Sequence, residues 1–129
     1  MNDSPAGPDS VDGNPAALRQ RLVADRDGTV AHIEALNRDL TGIIESVSAA
    51  NTDDEHDPEG TTLAFERAQV IALVDQAQGH LADLEVVLRR LDAGDYGTCE
   101  QCGKPIAAER LLARPSARTC IVCASSTRR

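Results

Sequence analysis

Two long stretches of the chain carry apolar residues at alternating intervals of three and four, the spacing of helices that pack along one seam. The first stretch predicts a helix from about Ala16 to a point between Val47 and Asn51. Arg26 and Thr29 occupy seam positions where an apolar residue is expected, so the first half of this seam is the weaker half. The apolar members of the first seam are Leu22, Ile33, Leu36, Leu40, Ile43 and Val47.

The second stretch predicts a helix from about Pro58 to Asp92. Asp57 is a good N-cap, and Pro58 suits the first helical position, where a backbone N–H has no partner anyway. Gly94 is expected to end the helix, because glycine accepts the left-handed backbone that often follows a helix C-terminus. The second seam has one polar member and comprises Leu63, Arg67, Val70, Val74, Ala77, Leu81, Leu84, Leu88 and Leu91.

These two stretches predict an all-α fold that is dominated by a long antiparallel coiled-coil hairpin. Each helix has about thirty residues and a length of about 45 Å, whereas their connection has only about ten residues. The chain has one Phe, one Tyr and no Trp, which suits a narrow seam better than a broad core. The alternative is three shorter helices, broken at Gly28 and Gly79.

Asp83 is placed on the outer face beside Leu84, so its replacement by alanine is expected to change little.

Near the C-terminus, two C-x-x-C pairs are separated by seventeen residues. Two intervening residues let a tight turn aim both sulfurs of a pair at one point, and the long insert lets the second turn complete a tetrahedron. Four thiolates leave no open position for water, so the spacing predicts one structural zinc ion. Gly103 suits the first turn, because glycine accepts positive φ. The predicted ligands are Cys99, Cys102, Cys120 and Cys123.

Residues 94–129 are predicted to be a small zinc module that follows the hairpin. Ile106, Leu111 and Leu112 are its expected apolar contacts, and Ala107 to Ala113 could form a short helix. This core is too small to fold alone, so zinc should supply much of the folding free energy. Two other interpretations of the cysteines are a pair of redox-active dithiols and free thiols buried as small apolar groups.

Charge and composition limit the cellular compartment in which we expect the protein and the classes of partner that it can bind. The formal net charge of −8 is unfavourable for binding phosphate backbones. The cysteines all lie in the predicted zinc site, as expected in a reducing compartment, and there is no leader-like or membrane-spanning apolar run. We therefore expect a cytoplasmic protein that does not bind membranes. Residues 1–15 are predicted to be a disordered tail, 16–93 the hairpin and 94–129 the zinc module.

The connection between the two predicted helices, residues 51–60, is acidic. Five of its ten side chains are carboxylates, and none is cationic. Asp57 and Glu59 suit the N-terminus of the second helix, whereas Asp53, Asp54 and Glu55 repel one another near the C-terminus of the first helix, where negative charge is disfavoured. The residues alone support two interpretations equally, a functional acidic tip and a capped, solvated loop.

The end of the second helix and the cysteine module resemble the DksA/TraR C4-type zinc finger family. Together with the hairpin and with Phe65 after the acidic connection, the resemblance covers about residues 16–124. In that family the zinc module and the hairpin base dock on RNA polymerase. The coiled coil enters the secondary channel and brings acidic tip residues close to the active centre. The resemblance rests on both cysteine pairs and on Tyr96-Gly97, Gly103, Ile106, Arg110-Leu111, Ala113 and Pro115.

The resemblance implies a functional role for the acidic tip. Asp54 and Asp57 match the two aspartates of the family pattern Asp-x-x-Asp-x-Ala, whereas Glu59 replaces its alanine and leaves the strength of any effect open. A site for the alarmone ppGpp is not expected. Family members that act with ppGpp have basic residues on the second helix and a helix after the module. Here no Lys or Arg lies between Arg67 and Arg89, and the given sequence ends soon after the second cysteine pair.

The resemblance therefore predicts a non-enzymatic transcription regulator that binds RNA polymerase, and we expect it to be a monomer. The alternative is a zinc ribbon that binds nucleic acid or another protein directly, since residues 94–129 carry six basic and three acidic side chains. A zinc ion with four thiolates carries a net charge of about −2, which cancels most of this surplus. Direct nucleic-acid binding is accordingly not expected. No Ser/His/Asp set or glycine-rich phosphate loop indicates an enzyme.

Overall fold

The structure is a computed structural model, and it describes residues 14–51 and 58–126. This part of the chain is mainly helical, and its one extended pairing is an isolated antiparallel bridge between Thr98 and Pro105. None of the helices formed by these residues has the apolar length that a bilayer crossing requires. In chain order the helices are α1 (Pro15–Asn51), α2 (Pro58–Asp92), α3 (Ala108–Ala113) and α4 (Ile121–Ser126).

The predicted bounds of the long helices are confirmed. α2 begins at Pro58 and ends at Asp92. Gly94 follows with a φ of +80°, the left-handed conformation that glycine adopts after a helix end. α1 ends at Asn51, the last residue of the predicted interval.

Both long helices are continuous through their interior glycines. α1 starts after Asn14, whose side-chain oxygen accepts a hydrogen bond from the Ala17 N–H at 3.3 Å. It then continues through Gly28, and α2 continues through Gly79. Interior glycine costs a helix only about 1 kcal/mol, which seam packing can outweigh. The alternative of three shorter helices is therefore wrong.

The described chain forms two compact units, and the first combines residues 14–27 with residues 82–126. Arg19 near the start of α1 forms an ion pair with Asp92 at the end of α2, with Nε and Oδ1 2.9 Å apart, so the two helices run antiparallel here. The apolar core of this unit comprises Leu18, Leu22, Leu84, Val87 and Leu88, with Val23, Leu91 and Tyr96 packed against it.

The second unit is Gly28–Leu81, and both long helices contribute buried residues to it. Thr29, a polar seam member, is buried, whereas the polar member Arg67 is exposed. Buried and half-buried apolar side chains recur at the predicted seam positions, although the Val47 side chain lies outside the described part of the structure. The predicted fold class, paired long helices followed by a small four-cysteine module, is confirmed. The buried or half-buried seam members of this unit are Ile33, Leu36, Leu40, Ile43, Leu63, Val70, Val74, Ala77 and Leu81.

Near the zinc module the structure corrects two expectations. Leu18 and Val87 are buried although neither belongs to the predicted seams. Tyr96 packs against the same core, so α2 buries a wider face here than a two-helix seam requires. Asp83 is paired with Arg118, with Oδ1 and Nη1 3.1 Å apart. Asp83 therefore does not lie on a free outer face, because the module folds against this face of α2, and the expectation that its replacement by alanine would change little loses its basis.

Leu84 offers a test of the assigned seam, because its side chain is 0% exposed. Leu84→Asp should lower the free energy of unfolding by more than about 3 kcal/mol, since even Leu→Ala costs about 2–5 kcal/mol in a core and a buried carboxylate adds to that. Gln78→Asp introduces the same side chain at an exposed position of α2 and should cost less than about 1 kcal/mol. Urea unfolding followed by circular dichroism measures both variants. Equal losses would contradict the seam.

Candidate functional site

The first cysteine pair lies in a tight turn held by backbone hydrogen bonds. The Cys99 N–H donates to the Lys104 carbonyl at 2.8 Å, and the Gly103 N–H donates to the Cys99 carbonyl at 2.9 Å. Gly103 has a φ of +76°, which confirms the positive φ predicted there. The Cys102 N–H is 3.5 Å from the Cys99 sulfur. The turn thus directs a backbone N–H at a sulfur while it holds both cysteines of the pair.

The second cysteine pair lies at the start of α4. Cys120 directly precedes this helix, and the Ala124 N–H donates to the Cys120 carbonyl at 2.9 Å. A further bond joins the two pairs, because the Glu100 N–H donates to the Arg118 carbonyl at 3.0 Å. Glu100 lies inside the first pair and Arg118 lies two residues before the second. This bond therefore holds the two turns side by side.

The four cysteine sulfurs converge on one point. Their Sγ atoms all lie within 4.8 Å of one another, and those of Cys102 and Cys120 are 3.8 Å apart. Thiolates about 2.3 Å from a tetrahedral zinc ion are separated by about 3.8 Å, so this spacing fits zinc. All four cysteines are free of disulfide bonds. The donor set and its geometry are those of a closed, structural zinc site.

Hydrogen bonds within the cluster lower the pKa values of two of these thiols and raise that of a third. The Cys102 backbone N–H, helped by those of Cys120 and Gln101, lowers the pKa of the Cys99 thiol to about 6, although burial acts in the opposite direction. The Cys123 backbone N–H lowers the pKa of Cys120. Hydrogen bonding with the Cys120 side chain, together with burial, raises the pKa of Cys123 to about 12. A metal must displace that last proton, so metal binding releases protons and weakens as the pH falls.

Side-chain hydrogen bonds to distant carbonyls hold the rest of the module. The Tyr96 hydroxyl donates to the Pro115 carbonyl at 2.8 Å, and Arg110 Nε donates to the Thr119 carbonyl at 2.9 Å. Sequence reasoning did not find these bonds, because their acceptors are main-chain atoms that carry no residue signature. The only signal was that Tyr96, Arg110 and Pro115 occur together in the family motif.

The core of the module is small, as predicted. Ile106 is buried, whereas Leu111 and Leu112 are only half-buried. Ser116 and Ala117 are the remaining buried residues of the module besides Cys99, among those that the structure describes. A polar hydroxyl and two small side chains add little apolar burial, so a metal ion is expected to contribute much of the folding free energy.

The predicted tip residues Asp54 and Asp57 lie outside the described residues, as does most of the predicted tail at 1–15. The structure describes the residues on either side, with α1 ending at Asn51 and α2 beginning at Pro58. The role of the tip therefore stays a prediction.

Comparison with known proteins shows similarity in both the module and the helices. Residues 94–129 match the family described as prokaryotic dksA/traR C4-type zinc finger. Over 107 residues the chain is 28% identical to the RNA polymerase-binding transcription factor DksA of Haemophilus influenzae, with 83% of this chain and 64% of that protein covered. It is also 42% identical over 66 residues to the uncharacterized protein YteA of Bacillus subtilis, with 51% of this chain and 28% of that protein covered. The chain thus spans less than two thirds of the length of these curated relatives.

A solved structure has a similar fold. Transcription factor DksA2 from Pseudomonas aeruginosa superposes with a TM-score of 0.66 at 25% identity, with 88% of this chain and 82% of that chain covered. The match to a four-cysteine zinc finger and the convergence of the sulfurs together confirm the predicted zinc cofactor.

Cys120→Ser tests the metal site in the full chain. Three thiolates should not retain zinc through dialysis, so we expect about one zinc ion per wild-type chain and little in the variant. The module should unfold while most of the helical signal remains, because α1 and α2 bury their own apolar residues. Ser125→Ala, an exposed change in α4, is the control. Metal analysis and circular dichroism report both outcomes, and full zinc occupancy in Cys120→Ser would refute the four-cysteine assignment.

Proposed function

We propose that this chain, whose residues 94–129 match the dksA/traR C4-type zinc finger family, is a transcription regulator, not an enzyme, that binds RNA polymerase. One observation carries the proposal. The similarity to a DksA protein named as RNA polymerase-binding extends over 107 residues, far beyond the module at 94–129. The paired helices and the zinc module therefore occur together in both proteins, which supports a shared mode of action.

In this proposal the parts of the chain have different tasks. The module and the adjacent ends of α1 and α2 attach to the polymerase. The hairpin enters the secondary channel, and the acidic connection acts near the active centre through Asp54 and Asp57. Mg²⁺ prefers oxygen ligands, so carboxylates are suitable groups to perturb a catalytic magnesium ion and the lifetime of promoter complexes. One zinc ion holds the module through Cys99, Cys102, Cys120 and Cys123.

An apolar surface on the module supports a protein partner. Ile121 and Val122 at the start of α4 are 61% and 69% exposed. Ile121 also lines a groove of about 550 Å³, together with Arg110, Arg114 and other residues. Exposed apolar patches with polar rims mark interaction sites, and arginine is enriched at protein–protein interfaces. We propose that this surface contacts the polymerase.

Direct nucleic-acid binding has less support from the same module. Arg118 is paired with Glu100 and Asp83, and the Arg110 Nε is bound to a main-chain carbonyl. A cation that is already paired with carboxylates, as Arg118 is, contributes little to the counterion release that drives phosphate binding. The overall charge of −8 acts against it as well.

Phe65 is an exposed aromatic residue near the start of α2. It is the only Phe of the chain, and its side chain is 73% exposed near the start of α2. A large aromatic side chain can bury considerable area against a partner at low conformational cost. We propose that Phe65 contacts the polymerase close to the acidic connection.

Replacing both Asp54 and Asp57 by Asn tests whether attachment and action are separate. The double variant should bind core RNA polymerase with an affinity within a few-fold of wild type, yet lose most of its effect on promoter-complex lifetime, because charge is removed with little change in shape. α2 should lose only about 0.3–1 kcal/mol, since Asn is also a good N-cap but lacks the charge–dipole interaction. A binding titration and a promoter-complex decay assay measure the two quantities.

The matched control is Asp39→Asn with Asp75→Asn, which removes the same charge from exposed positions of α1 and α2. This control should keep both binding and effect. If the tip variant still regulated decay like wild type, the acidic connection would be a capped, solvated loop with no role at the active centre. A salt-dependent gain in DNA affinity for the tip variant would instead favour the nucleic-acid alternative.

A further inference from the structure

Three charged side chains beside the four cysteines form what we call the Arg118 network, which consists of Arg118, Glu100 and Asp83. Arg118 Nη2 donates to Glu100 Oε1 at 2.9 Å, and its Nε donates to the other oxygen of the same carboxylate. Arg118 Nη1 donates to Asp83 Oδ1 at 3.1 Å. One planar guanidinium group therefore holds two carboxylates, one of them through two bonds.

The members of the network come from three separate parts of the chain. Glu100 lies inside the first C-x-x-C pair, and Arg118 lies two residues before the second. Asp83 lies in α2, directly before the fully buried Leu84. The network therefore joins both metal-binding turns to a helix that is held in place by its own apolar packing.

Partial burial distinguishes this network from an ordinary surface pair. The side chains of Arg118, Asp83 and Glu100 are 32%, 29% and 34% exposed. In the same unit, the side chains of the ion pair Arg19–Asp92 are 51% and 54% exposed. Exposed pairs contribute little to stability, whereas shielding from water strengthens an ion pair whose hydrogen bonds are satisfied.

We propose that the Arg118 network couples zinc binding to the attachment of the module to α2, with Arg118 as a positioning residue of the four-thiolate site. Neither carboxylate touches the metal in this proposal. Their function is to hold the two cysteine turns in the relative position that zinc requires.

The physical basis is the entropy of closing the site. Zinc must bring together two turns separated by a seventeen-residue insert, and ordering this insert opposes binding. The bonds of a guanidinium that ties both turns to α2 form only when the turns are ordered, so they offset part of that cost in the zinc-bound state. Groups that orient metal ligands without touching the ion typically change metal affinity by about 10–100-fold. By linkage, zinc must strengthen the network by the same factor that the network strengthens zinc binding.

Asp83→Asn in the full chain tests the coupling at a residue that lies outside the zinc module. It should weaken zinc affinity by about tenfold, measured by competition with a chromophoric chelator. The matched control is Asp92→Asn, which removes a carboxylate from the exposed pair with Arg19 and should change zinc affinity by less than about twofold. Arg118→Lys keeps the charge but cannot hold two carboxylates in one plane, so it should weaken affinity like Asp83→Asn.

A second readout separates coupling from simple stabilisation. With zinc bound, Asp83→Asn should lower the melting temperature of the helices relative to wild type. With zinc removed by a chelator, the two proteins should melt together, because the network has lost its ordered turns. A merely structural ion pair would instead contribute equally in both states.

Wild-type zinc affinity in Asp83→Asn or in Arg118→Lys would overturn the proposal. So would an equal loss of melting temperature with and without zinc. None of these measurements involves RNA polymerase, so their failure would leave the proposed function untouched, and failure of polymerase binding would leave the coupling untouched.

Discussion

The four sulfur atoms must meet at one point for the C-terminal module to hold together. The module contains two helices of only six residues each and buries few side chains in the described part of the chain. Ordering about thirty residues costs about 1–2 kcal/mol each in backbone entropy, more than such a core can offset. Metal–thiolate bonds can supply the difference. The turn at Gly103 brings the first two sulfurs to this point, and Cys120, directly before α4, and Cys123 within it bring the other two.

The long helices depend on a different interaction, the burial of aliphatic side chains along a seam. The module that metal–thiolate bonds stabilise and the helices that apolar burial stabilises are connected at the end of α2. Arg90 Nη2 donates to the Thr98 carbonyl at 2.6 Å, one residue before the first cysteine, and Arg90 Nε lies 3.4 Å from an Asp95 oxygen. Tyr96 packs on the apolar core of the same unit. The chain between α2 and Cys99 is therefore held by the helix that precedes it, so the first cysteine turn starts from an ordered base.

Local rules predicted the parts of the fold that depend on residues close in sequence. Pro58 and Gly94 mark the ends of α2, and the spacing within each C-x-x-C pair determines where two sulfurs can point. Contacts between distant residues could not be predicted. Asp83 and Arg118 are 35 residues apart in sequence, and which outer-face carboxylate meets which arginine depends on where the module folds back. Val87 is buried for the same reason, because the module folds back onto α2. A seam between two helices alone does not include that contact.

Repulsion within the acidic connection bears on how a protein of this kind could act. Residues 51–60 hold five carboxylates and no cation, so their mutual repulsion opposes bringing them together at one site. Such a segment cannot supply the binding free energy that would hold it at a partner's site unless the partner offers cations. In the proposed function, attachment rests on other surfaces, and Ile121 and Val122 present exposed apolar area. Because those residues begin the helix that carries Cys123, the zinc site and the attachment surface depend on the same short element. The metal would then govern how strongly the protein attaches, and the carboxylates would govern what it does once attached.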